Sequence, residues 1–205
     1  MRHRLGTLGH PATLRSMRMA VLVSGSGTLL EAMIADGQPI ELVVADRACR
    51  GLTIAAESDI ESLCVERTDF SENFERDEYS ATLAAELVER NIELVVMAGF
   101  GTVLSADMFD RFDGRIINTH PALLPAFPGW HAVRDALAYG VKVTGCTVHV
   151  ATPVVDDGPI LAQETVPVLA DDDEASLHER IKVVERRLYI ETIRSIVERG
   201  WITER

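Results

Sequence analysis

Six short runs of Val, Ile, Leu and Ala alternate with amphipathic stretches along most of this chain, and that alternation restricts the folds open to it. The runs at Met19–Val23, 42–45, 63–65, Leu94–Met97, 115–119 and 146–150 are too brief for buried helices and rich in β-branched residues, so they read as strands. Between them Thr28–Ala35, 52–57, 74–90 and Ala132–Tyr139 read as helices. Strands that are apolar along their whole length belong in a sheet covered on both faces, and strand–helix alternation makes such a sheet parallel. The expectation is a single α/β domain with a mostly parallel, doubly wound sheet.

A last helix is expected from about 173 to 199. Leu177, Ile181, Val184 and Leu188 mark one apolar stripe, and Gly200 stands just past its end. Asp171, Asp172, Asp173 and Glu174 crowd its start, where negative charge suits the helix dipole. The alternative, a cation site, lacks the spaced oxygen ligands of a calcium loop.

Length and charge narrow the function. The chain has 205 residues, enough for one well-cored domain, and no apolar run long enough to span a bilayer. The net charge of −12 argues against nucleic acid as a partner, because phosphate-backbone contacts need a basic surface. A small anion remains open to it if backbone N–H groups bind locally. Cys49, Cys64 and Cys146 lack metal-ligand spacing and read as reduced thiols of a cytoplasmic protein. Residues 1–16 have no signal-peptide core and precede a second methionine, Met17. They are read as a disordered N-terminal extension, with the domain at 17–200 and a tail at 201–205.

Chemistry concentrates at the ends of strand-like runs. Val23-Ser24-Gly25-Ser26-Gly27-Thr28 is a glycine-rich turn before a helix, suited either to a phosphate or to an ordinary tight connection; Leu30 stands where a dinucleotide fingerprint has its third glycine. Asn118 and His120 end another run and share a side if strand geometry persists, although the imidazole could equally cap the proline-rich turn that follows. His131 and His149 read as structural, the second as a satisfied core histidine. Asp156-Asp157-Gly158-Pro159 is a turn by composition, yet a carboxylate brought near His120 would orient its ring.

Together with Met97-Ala98-Gly99-Phe100, Pro121-Ala122-Leu123-Leu124-Pro125, Gly145-Cys146-Thr147-Val148-His149 and Ile160, these motifs resemble the glycinamide ribonucleotide formyltransferase family, from residue 17 to about 197. The resemblance implies a formyltransferase fold, Rossmann-like in its N-terminal half, in which an amine attacks the formyl carbon of 10-formyltetrahydrofolate. That folate would be a co-substrate, with no metal, no nucleic acid and no membrane involved; a homodimer is left open.

On this resemblance Asn118, His120 and Asp156 are the catalytic trio. Gly27, Thr28, Leu29, Lys182 and Glu185 would hold the ribonucleotide, with Glu185 on the ribose hydroxyls. Arg76 would meet the folate's carboxylate tail, while Gly101, Thr102, Val103, Leu104, Asn118, Thr152 and Asp156 would line the folate pocket. Many relatives have Met-Arg where this chain has Gly101-Thr102, so main-chain contacts alone are expected there, with little effect from Thr102→Ala. The phosphate loop carries Thr28-Leu29 where Ser-Asn is frequent, leaving Leu29 only its backbone. The alternatives are a formyltetrahydrofolate hydrolase, or a nucleotide- or folate-binding module without activity. A transfer-RNA formyltransferase would be expected to carry a further RNA-binding domain and a less acidic surface.

Overall fold

The computed structural model describes residues 17–200 and 202; the extension expected at 1–16 and the rest of the 201–205 tail lie outside the described residues. In chain order the elements are β1 (Met19–Val23), α1 (Thr28–Ala35), β2 (Ile40–Ala45), α2 (Arg50–Glu57), β3 (Glu61–Cys64), α3 (Arg76–Glu89), β4 (Leu94–Met97), α4 (Ala106–Arg111), β5 (Ile116–His120), α5 (Ala132–Tyr139), β6 (Val143–Val150), β7 (Ile160–Pro167) and α6 (Glu174–Arg199).

Two of these are not among the expected elements. Helix α4 has 6 residues, too few to display a helical period. Strand β7 carries Gln163, Glu164 and Thr165 between its apolar residues and buries Val166 alone, so it lacks the continuous apolar run of its neighbours.

The strands form one sheet in the order β3-β2-β1-β4-β5-β6-β7. Pairings from β3 through β5 are parallel, while β5–β6 and β6–β7 are antiparallel. The chain winds outward from β1 in one direction and restarts at β4 in the other, which leaves the carboxyl ends of β1 and β4 adjacent at the switch point. In sheets of this kind a ligand crevice opens there.

Every residue of β1 is fully buried, as a central strand covered on both faces requires. One core, between the sheet and the side carrying α1, α2, α5 and α6, includes Met19, Val21, Leu30, Ile117, Val148 and Ile181. The opposite core gathers Ala20, Leu22, Leu83, Leu87, Met108 and Phe112 beneath α3 and α4.

Helix α6 buries Leu177, Ile181, Leu188, Tyr189, Ile193 and Ile196, each contributing about 1.5–3 kcal/mol by leaving water. Its acidic start is occupied by folding roles. The Asp173 side chain accepts from the Ser176 N–H at 2.8 Å while the Ser176 hydroxyl accepts from the Asp173 N–H at 3.0 Å, a reciprocal cap. Asp172 forms two bonds to the Arg180 guanidinium, at 2.7 and 2.8 Å. The Tyr189 hydroxyl lies 3.0 Å from the Met97 carbonyl and 2.9 Å from that of Ile117, fastening α6 to β4 and β5 just below the crevice.

Candidate active site

A cleft of about 460 Å³ opens over the carboxyl ends of β1, β4 and β5. Its first wall is the turn from β1 into α1. Gly27 takes a left-handed conformation (φ 68°), and no side chain caps the helix it starts. The first-turn N–H groups of α1, from Thr28 onward, therefore lack intrahelical acceptors and offer an anion site. Gly27 is also constrained from behind: a Cβ there would lie 2.6 Å from Ile54 Cδ1 and 3.1 Å from Gly51 Cα on α2. Arg50 supports the turn from outside, donating to the Ser26 carbonyl at 2.8 Å.

The second wall is built where β5 meets β6. Both His120 nitrogens face acceptors: Nδ1 is 3.2 Å from Asp156 Oδ2 and Nε2 is 2.8 Å from the Phe127 carbonyl oxygen. A carbonyl only accepts, so Nε2 carries a proton. Asp156 Oδ2 also accepts the Gly129 N–H at 2.8 Å. The two residues that grip the imidazole, Phe127 and Asp156, both have left-handed backbones, with φ of 54° and 58°. Such conformations are unfavourable for side-chain-bearing residues and gather at functional sites. Gly158, two residues on, has no room for a side chain, since a Cβ would lie 1.7 Å from the Val150 carbonyl oxygen. The Asp-Asp-Gly-Pro turn thus folds tightly against β6 and aims Asp156 inward, while Asp157 stays exposed.

His149 belongs to this wall rather than to a closed core. It is fully buried yet borders the cleft, directly across the β5–β6 ladder from Asn118. Its Nδ1 lies 3.1 Å from the Val150 carbonyl, which makes Nδ1 the donor and leaves Nε2 to accept. Burial is the main influence on the ring and pushes its pKa down, which fits a neutral imidazole. Nε2 then faces the Asn118 amide nitrogen at 3.5 Å, a long contact that takes one amide N–H and leaves the second for another acceptor. Asp156 Oδ1, at 3.6 Å from the same nitrogen, is too far for a hydrogen bond.

Helix α6 closes the third side with His178, Lys182, Glu185 and Arg186. Glu185 accepts from the Thr119 hydroxyl at 3.1 Å, and burial raises its pKa above the ordinary carboxylate value. Lys182 pairs with Glu179 at 2.7 Å. The loop after β4 brings Gly101, Thr102, Val103 and Leu104 opposite Thr152 and Asp156, and Trp130 stands 73% exposed at the rim as an apolar platform.

Of the residues expected from sequence, Gly27, Thr28, Leu29, Gly101, Thr102, Val103, Leu104, Asn118, His120, Thr152, Asp156, Lys182 and Glu185 all border this one cleft. Arg76 does not; it opens α3 on the exposed surface, outside the cleft lining, one turn before Ser80, whose hydroxyl accepts the Ser105 N–H at 2.9 Å just past the β4 loop. His149 and Arg186 are the additions. His149 faces Asn118 only through an antiparallel register, and Arg186 is one of several charges along a mostly solvated helix, so neither carries a local signal. Among the described residues, no group of three or more His, Cys, Asp or Glu is arranged to hold a metal ion, and no helix is long and apolar enough to cross a membrane.

The family model for formyl transferase matches residues 17–193. The chain belongs to the formyl transferase family. Within it, this family member is 48% identical over 188 residues to the phosphoribosylglycinamide formyltransferase of Mycobacterium tuberculosis, covering 89% of this chain and 86% of that protein. It is 41% identical over 180 residues to the trifunctional purine biosynthetic protein adenosine-3 of Drosophila melanogaster, covering 83% of this chain and 13% of that much longer protein. The crystal structure of glycinamide ribonucleotide transformylase 1 from Symbiobacterium toebii superposes with a TM-score of 0.83 at 40% identity, covering 92% of this chain and 91% of that one.

Proposed function

We propose that this formyl transferase moves the formyl group of 10-formyltetrahydrofolate to the amine of 5-phosphoribosylglycinamide, giving the formylated ribonucleotide and tetrahydrofolate in de novo purine synthesis. One observation carries the reading. A single cleft joins an uncapped helix N-terminus, suited to a phosphate, to a wall where Asn118, His120 and Asp156 converge.

The reaction makes a C–N bond to the attacking amine and breaks the one to the folate. Charge rises on the formyl oxygen, and a proton must pass from the amine to the departing folate nitrogen. Asn118 is assigned to the oxygen: one amide N–H is held by His149, and the second can donate as charge develops. His120 and Asp156 are assigned to the proton. Because Phe127 and Asp156 hold both imidazole nitrogens, the ring must release one acceptor to deliver a proton to a substrate atom.

The phosphate is assigned to the N–H groups of Gly27, Thr28 and Leu29, aided by the charges of Lys182 and Arg186 against the overall −12. Glu185 is assigned to the ribose hydroxyls, and the loop 101–104 with Thr152 to the pterin. The folate is a co-substrate, the chemistry calls for no metal, and the cytoplasm is the expected compartment.

Absorbance of the formyl-folate tests this reading. Loss should occur only when the ribonucleotide is present, and chelator treatment should leave it intact. Loss without the ribonucleotide would favour a hydrolase. Binding of both ligands without turnover would favour an inactive module.

A further inference from the structure

The side chain of Thr102 has a partner of its own, behind the cleft. Asp46, at the end of β2, is completely buried, and Thr102 is 1% exposed. Thr102 Oγ1 donates to Asp46 Oδ2 at 2.7 Å. The Arg47 guanidinium donates to both oxygens of the same carboxylate at 2.9 Å. Ser24 Oγ in turn accepts the Gly101 N–H at 2.7 Å. Burial alone would push the Asp46 pKa up, but the bonds from Arg47 and Thr102, with the nearby Ser24 hydroxyl, outweigh it and hold the carboxylate ionised.

This circuit meets on the loop after β4, which is bonded through Gly101 to Ser24 in the turn after β1 and through Thr102 to Asp46 at the end of β2. Two of these segments flank the switch-point crevice. An ionised buried carboxylate loses heavily when a donor such as the Thr102 hydroxyl is removed. Arg47 stays close as well: its Nη2 would lie in ordinary van der Waals contact, at 3.7 Å, with a Cβ placed on Gly101.

We propose that Thr102 is a positioning residue: with Asp46 and Ser24 it braces the 99–104 loop against the β1 turn, and so sets the geometry of the folate-binding side of the cleft. The inference rests on the functional reading above. It replaces the expectation that Thr102→Ala is nearly silent, because the side chain acts through Asp46 even though any direct contact with the pterin comes from main chain.

Steady-state kinetics of Thr102→Val, which keeps the shape and removes the donor, test the brace beside Thr102→Ser, which keeps the donor. In Thr102→Val the KM for formyl-folate should rise about tenfold, as for a lost bond to a charged group, with ribonucleotide KM within about twofold and kcat within about threefold. Thr102→Ser should restore folate KM to within about twofold. Should Thr102→Val prove poorly folded, Ser24→Ala cuts the circuit at the Gly101 N–H and should give the same folate-selective rise. Unchanged folate KM in Thr102→Val, a Thr102→Ser as impaired as Thr102→Val, or equal rises in both KM values with a falling Tm would each overturn the proposal. Amide hydrogen exchange across 99–104 reads the brace without any substrate: it should quicken in Thr102→Val and not in Thr102→Ser, and equal exchange in both overturns the brace. A wild-type protein with a protected loop that consumes no formyl-folate would instead overturn the functional reading alone.

Discussion

His120 Nδ1 stands 3.2 Å from Asp156 Oδ2, and both side chains are 6% exposed. So little water reaches the pair that the carboxylate acts on the ring at short range, and a second bond from the Gly129 N–H fixes which oxygen faces it. Asp156→Asn keeps the shape and removes the charge. It is expected to lower kcat by on the order of 10²–10⁴ with ribonucleotide KM little changed. Asp157→Asn, on the exposed neighbour, should leave kcat within about twofold, as surface changes usually do. Steady-state kinetics of the two variants decide it; the reverse order would move the catalytic carboxylate to Asp157.

His149 directs Asn118, so the two should act as a unit. Replacing His149 with Phe removes the acceptor that orients the amide, and kcat is expected to fall about tenfold, as for loss of a modest hydrogen bond. In a double-mutant cycle His149→Phe should add little once Asn118 is already Ala. Fully additive losses would mean that His149 acts without Asn118.

Glu185 gives a dependence on pH. Its folded pKa is raised above 4.5, chiefly by burial, so the folded state holds this proton more tightly than the unfolded chain. The ionised carboxylate is therefore unfavourable at neutral pH, and the penalty vanishes as pH falls through the raised value and past 4.5. Glu185→Gln should melt higher than wild type at pH 7 and lose that advantage in acid, while ribonucleotide KM rises on the order of tenfold. Melting curves across pH check the first part; a variant that melts lower at pH 7 would contradict a desolvated carboxylate.

The acidic start of α6 is expected to matter for stability and not for turnover. Asp173→Ala removes the reciprocal cap with Ser176 and should lower Tm by roughly 2–4 °C, with kcat unchanged. Arg180 holds the Asp172 carboxyl well below its usual range, and bonds from Ser176 lower that of Asp173. Both contributions are present above the ordinary aspartate range and are lost as pH falls through it and below. Added calcium that restored the Tm of Asp173→Ala would revive the cation-site alternative.

Local physics, read along the chain, settles where most elements lie. Apolar strands such as Met19–Val23 and Leu94–Met97 demand burial on both faces, and Leu177, Ile181 and Leu188 recur at a spacing that serves only a helix. Asn118 and His120 could be placed together because they share a short strand, and the family resemblance supplied Asp156. What lies between strands far apart in sequence was left to tertiary structure. The antiparallel register sets His149 opposite Asn118, and no local pattern encodes which residue of one strand faces which residue of another. Strand β7 is fixed by its pairing with β6, not by an apolar run of its own. The carboxylate of Asp46 reaches Thr102 across 56 positions because the doubly wound order brings the ends of β1, β2 and β4 side by side, which turns a residue expected to contribute main chain alone into the partner of a buried charge.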